Sequence, residues 1–284
     1  MTEIGFLDIL IIIAIGIIEG ITEWLPISST GHMLIFDEFV PFSATESFKE
    51  MFFVVIQLGA IFAVVTYFFK KMLPVSTETV ILEQKRSTKY TLDKPKIILW
   101  CKVAAACLPS AVIGLLFDDL LEERFGSAYS IATMLIVYGI AFILIEIWQK
   151  DRTRNCENIE NITLVQALII GLFQVLALIP GTSRSGATII GAMLIGVSRV
   201  AAAEFTFFLA VPTMLGASLL KMVKHGLALS FAEITALLIG MAVAYVVSLI
   251  AIKFLMDFVK KHSFTVFGCY RIVLGAVVIV LTLL

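Results

Sequence analysis

The sequence predicts an all-α, polytopic helical membrane protein, and three observations carry that prediction. Sixty per cent of the 284 residues are hydrophobic and only 15% are charged. Mean hydropathy is +1.03, far above that of a soluble domain. Apolar runs long enough to cross a hydrocarbon core of ~30 Å recur along the whole chain, without the short alternating segments of an outer-membrane barrel.

Taken in order, the apolar segments are 4–18, continuing into 24–40; 52–69; 97–117; 128–148; 164–179, continuing into 188–197; 205–222; 234–255; and 264–284. Polar loops separate them, the longest over 70–96. Segments one and five are interrupted by proline, small hydroxyl residues and glycine: Pro26-Ile27-Ser28-Ser29-Thr30-Gly31 and Pro180-Gly181-Thr182-Ser183-Arg184-Ser185-Gly186. Proline ends or kinks a helix, and glycine permits tight turns. Irregular backbone at membrane depth needs a protein or water-filled surround. Both segments therefore read as re-entrant helical hairpins.

The two interruptions match each other. Pro26 aligns with Pro180 and Ser29 with Ser183, and Leu58-Gly59-Ala60 echoes Leu215-Gly216-Ala217 at a slightly larger offset. The expected fold is one integral membrane domain of two repeats, 1–150 and 160–284. Each holds one re-entrant hairpin and three transmembrane helices. Three is odd, so the repeats are expected to be inverted.

Charge sets the expected orientation. The 70–96 loop carries seven cations, Lys70, Lys71, Lys85, Arg86, Lys89, Lys94 and Lys96, and reads as cytoplasmic. The mostly acidic stretch 118–124 reads as an outer loop. Lys150, Arg152, Arg154, Lys260 and Lys261 fall inside, while Lys221 and Lys224 fall outside as a mild violation. Both termini are then outside, and the first hairpin opens outward. Met1-Thr2-Glu3 lacks the basic start of a cleavable leader. Net charge of −1 gives no bulk attraction to nucleic acid. Cys101, Cys107, Cys156 and Cys269 form no metal pattern and are expected to be reduced.

The chemistry sits at the interruptions. Glu19 and Glu23 are one helical turn apart and share a face. Two carboxylates in an apolar segment are costly unless something compensates. They read as a divalent-cation site for Mg²⁺ or Ca²⁺ or as a general acid/base pair. Ser28, Ser29, Thr30 and His32 follow. Hydroxyls after a proline can simply cap backbone groups, but beside an imidazole and two acids they suit a nucleophile and its base. At the second interruption, Arg184 carries a planar fork that fits phosphate oxygens. Ser183, Ser185 and the loop N–H groups add anion donors, and a following helix at 187–197 would point its positive end at the anion. Arg184 could equally form a resting ion pair with Glu19 or Glu23. Lys102, Glu146, Glu204, Glu233 and Lys253 read as snorkelling or interfacial charges. Arg271 lies deeper, as a structural pair or phosphate-side support.

These residues carry a resemblance. Glu19-Gly20-Ile21-Thr22-Glu23-Trp24-Leu25-Pro26-Ile27-Ser28-Ser29-Thr30-Gly31-His32 and Pro180-Gly181-Thr182-Ser183-Arg184-Ser185-Gly186-Ala187-Thr188 resemble the two signature motifs of the BacA-type undecaprenyl-diphosphate phosphatases. The likeness continues through Val55–Ala60, Gly196–Arg199 and Leu209–Pro212 and spans nearly the whole chain. It implies an enzyme of the bacterial inner membrane that hydrolyses undecaprenyl diphosphate to the monophosphate and inorganic phosphate. That reaction recycles the envelope lipid carrier and is tied to bacitracin resistance. By position, the family's catalytic acids fall on Glu19 and Glu23, its nucleophile on Ser29, its histidine on His32 and its phosphate-binding arginine on Arg184. A divalent cation is a family trait. The expected reaction has Ser29 attack the terminal phosphorus while His32 or Glu23 takes its proton. The competing reading is a lipid-phosphate transporter or flippase, since broken helices in inverted repeats are typical of transporters. Homo-oligomer formation stays open.

Overall fold

The structure is a computed structural model that describes residues 5–40, 42, 44–82, 85–150, 156–226 and 229–283. Arg152 and Arg154, like Met1, Thr2 and Glu3, lie outside the described residues. Chain order runs α1 (Phe6–Thr22), α2 (Ser29–Phe39), α3 (Glu46–Val55), α4 (Gln57–Tyr67), α5 (Phe69–Met72), β1 (Val75–Leu82), β2 (Lys85–Leu92), α6 (Lys94–Phe125), α7 (Ala128–Gln149), α8 (Leu164–Val175), α9 (Arg184–Leu194), α10 (Arg199–His225), α11 (Phe231–Val259) and α12 (Thr265–Leu283). Six helical segments among these residues are long and apolar enough to cross a membrane, one of them formed by α3 and α4 together. The protein is a polytopic helical membrane protein.

The two interrupted segments fold as helix–break–helix hairpins. α1 packs on α2 and α8 on α9. The packing pattern survives exchange of the halves: α1 lies on α11 as α8 lies on α6, α4 meets α11 as α10 meets α6, and α7 pairs with α12. Both hairpin entries run parallel to their partners. Gly16 faces Gly240 and Val243 while Gly20 faces Ala244 and Val247; Gly171 faces Ala106 while Gly114 faces Leu178.

Packing, rather than apolar transfer, holds helices together in lipid, so close backbone approach matters. At the α7–α12 crossing a Cβ on Gly139 would lie 2.7 Å from the Gly268 carbonyl oxygen, and one on Gly268 2.6 Å from that of Gly139. Any larger residue there would force the pair apart. Large apolar side chains such as Leu115, Leu116, Ile250 and Val273 are exposed, which suits a lipid-facing surface.

Three expectations change. The 70–96 loop contains an antiparallel hairpin, with Val75 opposite Leu92 and Leu82 opposite Lys85. Its Val, Thr and Ile residues favour extended backbone over helix, and the ends are closed by Asp93 N–H donating to the Pro74 carbonyl at 3.0 Å. The stretch 118–124 is helical rather than a loop, because α6 continues to Phe125 through good helix formers such as Leu and Glu. Glu146 and Glu204 do not snorkel. Glu146 is buried, ion-paired with Arg199, and accepts the Phe264 N–H at 2.8 Å. Glu204 is buried against Lys71 at 2.7 Å. The outlying cations are offset by acids: Lys224 meets Asp119 at 2.9 Å, and Lys221 lies 3.7 Å from Glu122.

Candidate active site

The two breaks share one unusual backbone state. Ser28 and Ser183 are the non-glycine residues with positive φ among those described, at 75° and 70°. That conformation is strained for a residue with a Cβ. Each serine is the N-cap of the following helix. Ser28 Oγ accepts the Gly31 N–H at 3.4 Å, and Ser183 Oγ accepts the Gly186 N–H at 3.2 Å. By conformation, then, Ser183 corresponds to Ser28 and not to Ser29. The second break is one residue longer, with Gly181 at φ 89° taking up the extra turn. The consequence is that Ser29 and Arg184 hold equivalent places, each the first residue of its helix.

Those two residues converge on one carboxylate. Ser29 Oγ donates to Glu23 Oε2 at 3.1 Å. Arg184 donates to Glu23 Oε1 through Nη2 at 2.9 Å and Nε at 3.3 Å. Its remaining Nη1 is held by the Thr206 carbonyl at 3.0 Å, and its Cζ lies 5.8 Å from the centre of the Trp24 ring. Glu23 is 8% exposed. Between the two ion-pair partners that sequence left open, Arg184 chooses Glu23.

Glu19 is fully buried one turn earlier, and neither of its carboxylate oxygens has a hydrogen-bond partner among the described residues. A buried, unsatisfied carboxyl is costly. It calls for a proton or a cation. Its two free oxygens fit a hard divalent ion, although among the described residues no three metal-ligating side chains form a cluster.

Ser185 Oγ donates to the Glu23 carbonyl at 3.2 Å and lies 3.1 Å from Ser183 Oγ. Thr188 joins Thr206, Oγ1 to Oγ1 at 2.8 Å. Thr30 is exposed, and among the described residues no hydrogen bond ties its side chain to the cluster. His32 faces away from Ser29. Its Nδ1 meets the Ser28 carbonyl at 2.7 Å and its Nε2 meets the Tyr270 hydroxyl at 2.8 Å, with the two rings stacked 5.6 Å apart. A carbonyl only accepts, so Nδ1 carries the proton and a neutral ring takes the Tyr270 hydrogen at Nε2. Thr206 and Tyr270 were not among the expected residues. A tyrosine beside an arginine in the last apolar segment was the available signal.

Fold and site together define an integral membrane protein with an arginine–carboxylate–serine cluster, half-buried around the buried Glu23, between two broken helices. The family model described as "Bacitracin resistance protein BacA" matches residues 12–277, so this chain belongs to the BacA family. Relatives named undecaprenyl-diphosphatase include one from Enterococcus faecalis, 58% identical over 279 residues, covering 98% of this chain and 99% of the relative. Another, from Lachnoclostridium phytofermentans, is 54% identical and covers 96% of each chain. A third, from Lactococcus lactis subsp. lactis, is 51% identical and covers 96% of this chain and 97% of its own length.

Proposed function

We propose that this protein is an undecaprenyl-diphosphate phosphatase of the bacterial plasma membrane, with Glu23, Ser29 and Arg184 at its reactive centre. The observation that carries the reading is the sharing of one carboxylate, with Ser29 Oγ on one oxygen and the Arg184 fork on the other. A substrate phosphate can replace Glu23 on the fork, since guanidinium pairs with either anion in bidentate fashion. Glu23 is then released at the moment Ser29 needs a base, which couples binding to activation of the nucleophile.

Ser29 Oγ attacks the terminal phosphorus as its proton passes to Glu23. The P–O bond to the lipid monophosphate breaks, and its electron pair leaves with undecaprenyl phosphate. Glu23 passes that proton to the departing phosphate and then takes one from the water that adds to phosphoserine; the Ser29 Oγ–P bond breaks, Oγ recovers the proton from Glu23, and inorganic phosphate is freed. Arg184 and the N–H groups opening α2 and α9 stabilise charge on the equatorial oxygens. Ser28, Ser183 and Ser185 shape the phosphate cradle, and Thr30 is the weakest member of that set. His32 holds the Ser28 carbonyl and so orients the Ser28–Ser29 turn; Glu23 is better placed than His32 to take the serine proton. Glu19, with its free oxygens, would hold a Mg²⁺ or Ca²⁺ together with Glu23, and the ion would supply charge neutralisation to the diphosphate.

The exchange-symmetric packing of the halves supports an inverted repeat, and the cations of the 70–96 loop support a site that opens to the outer face. The same broken-helix pairing would suit a lipid-phosphate transporter. Phosphate release by purified protein in detergent separates the two, because a transporter alone releases none. Repeating the assay with a chelator tests the cation.

A further inference from the structure

We infer that Arg271 is the positioning residue that holds the two chain breaks in register, so that Ser29 and Arg184 face one anion. The inference rests on the phosphatase reading of the site. Arg271 is 0% exposed on α12, and no carboxylate pairs with it among the described residues. A buried guanidinium without a counter-ion is expensive, so its surroundings must solvate it. They do so entirely with backbone carbonyls. Nη2 donates to Gly181 and Thr182 at 2.9 Å each and to Met134 at 3.5 Å; Nη1 donates to Pro26 at 3.3 Å; Nε donates to Leu135 at 3.4 Å. Its Cζ stands 5.6 Å from the centre of the Tyr138 ring.

The acceptors come from three places: the first break, the second break and α7. Carbonyls at a helix break have lost their helical donors and need others. One planar fork satisfies carbonyls of both breaks at once. It also joins Pro26, three residues before Ser29, to Gly181 and Thr182, three and two residues before Arg184. With its N–H groups turned to carbonyls, Arg271 is not set to bind phosphate. Its charge is nevertheless not neutralised, which leaves the meeting point of the breaks positive and suited to an anion. A lysine keeps the charge but gathers its donors on a single nitrogen, and it cannot span these acceptors.

The test compares kcat and KM for phosphate release from a polyprenyl diphosphate in wild type, Arg271→Lys, Arg271→Gln and Ser29→Ala, per mole of monodisperse protein. Misplacing reacting groups by about 1 Å costs on the order of 100-fold in rate. The expected result is a kcat loss of that size in both Arg271 variants, with the smaller change in KM. Wild-type kcat in Arg271→Lys overturns the clamp, since charge alone then suffices. Wild-type turnover by Ser29→Ala would instead overturn the phosphatase reading itself, whatever the Arg271 variants do. If neither Arg271 variant gives monodisperse protein, amide exchange of the unaltered protein in nanodiscs decides. The clamp requires residues 24–29 and 180–185 to open together at a common rate. Free exchange of one segment while the other stays protected overturns it.

Discussion

Ser29 and Arg184 are the first residues of two different helices, and each grips one oxygen of Glu23. The equivalence makes the site a meeting of two breaks; in the proposed reaction one brings the nucleophile and the other the phosphate ligand. Glu23 joins the two. Glu23→Gln keeps the shape but can accept no proton at neutral pH. Loss of a general base costs about 10²–10⁴-fold in rate, and kcat of the folded variant is expected to fall within that range. Stopped assays on purified protein measure it, and an unchanged kcat would remove Glu23 from the reaction.

Arg184→Lys preserves the charge and loses the fork whose Nε and Nη2 both hold Glu23 Oε1. The expected outcome is a rate nearly as low as that of Arg184→Ala, with losses of about 10²–10³-fold for a missing transition-state donor. Steady-state kinetics on the two variants side by side provide the check. Full activity in the lysine variant would mean that a point charge is enough.

Glu19 has two buried carboxylate oxygens with no hydrogen-bond partner among the described residues. Glu19→Gln removes a buried carboxyl that no hydrogen bond satisfies among the described residues, so the apparent Tm in detergent should not fall. Activity should drop, and what remains should lose its response to a chelator that slows the wild type. A variant with wild-type rate and an intact chelator response would place the cation elsewhere.

Orientation is open to thiol labelling. In a background lacking Cys101, Cys107, Cys156 and Cys269, an impermeant reagent added to intact cells should label Glu46→Cys and spare Lys94→Cys. Labelling in the opposite order would invert the arrangement of both hairpins.

Much of this was legible in the residues. Glu19 and Glu23 in an apolar run, followed by Pro26, announce a broken helix with something to compensate, and Arg184 after Pro180 announces its counterpart. Other features depend on contacts that no local pattern reports. The pairing of Ser28 with Ser183 follows backbone φ, and the extra residue at Gly181 shifts it from the simple alignment of Ser29 with Ser183. His32 looked like the base for Ser29 because the two are close in sequence, yet on α2 its ring points to Tyr270 of α12. Glu146 resembled a snorkelling end-charge until α10 brought Arg199 to it. The strand pairing over 75–92 was hidden behind a run of lysines and arginines that reads as a polar loop.

In the proposed reaction Ser29 carries the phosphoryl group. That step is tested most directly by quenching the enzyme during turnover of polyprenyl diphosphate labelled in the terminal phosphate and analysing the protein-bound label. The expected adduct is stable to acid and labile to base, maps to the peptide holding Ser29, and is absent from an inactive Ser29→Ala. An acid-labile adduct on His32, or phosphate release by Ser29→Ala at a rate close to wild type, would contradict it.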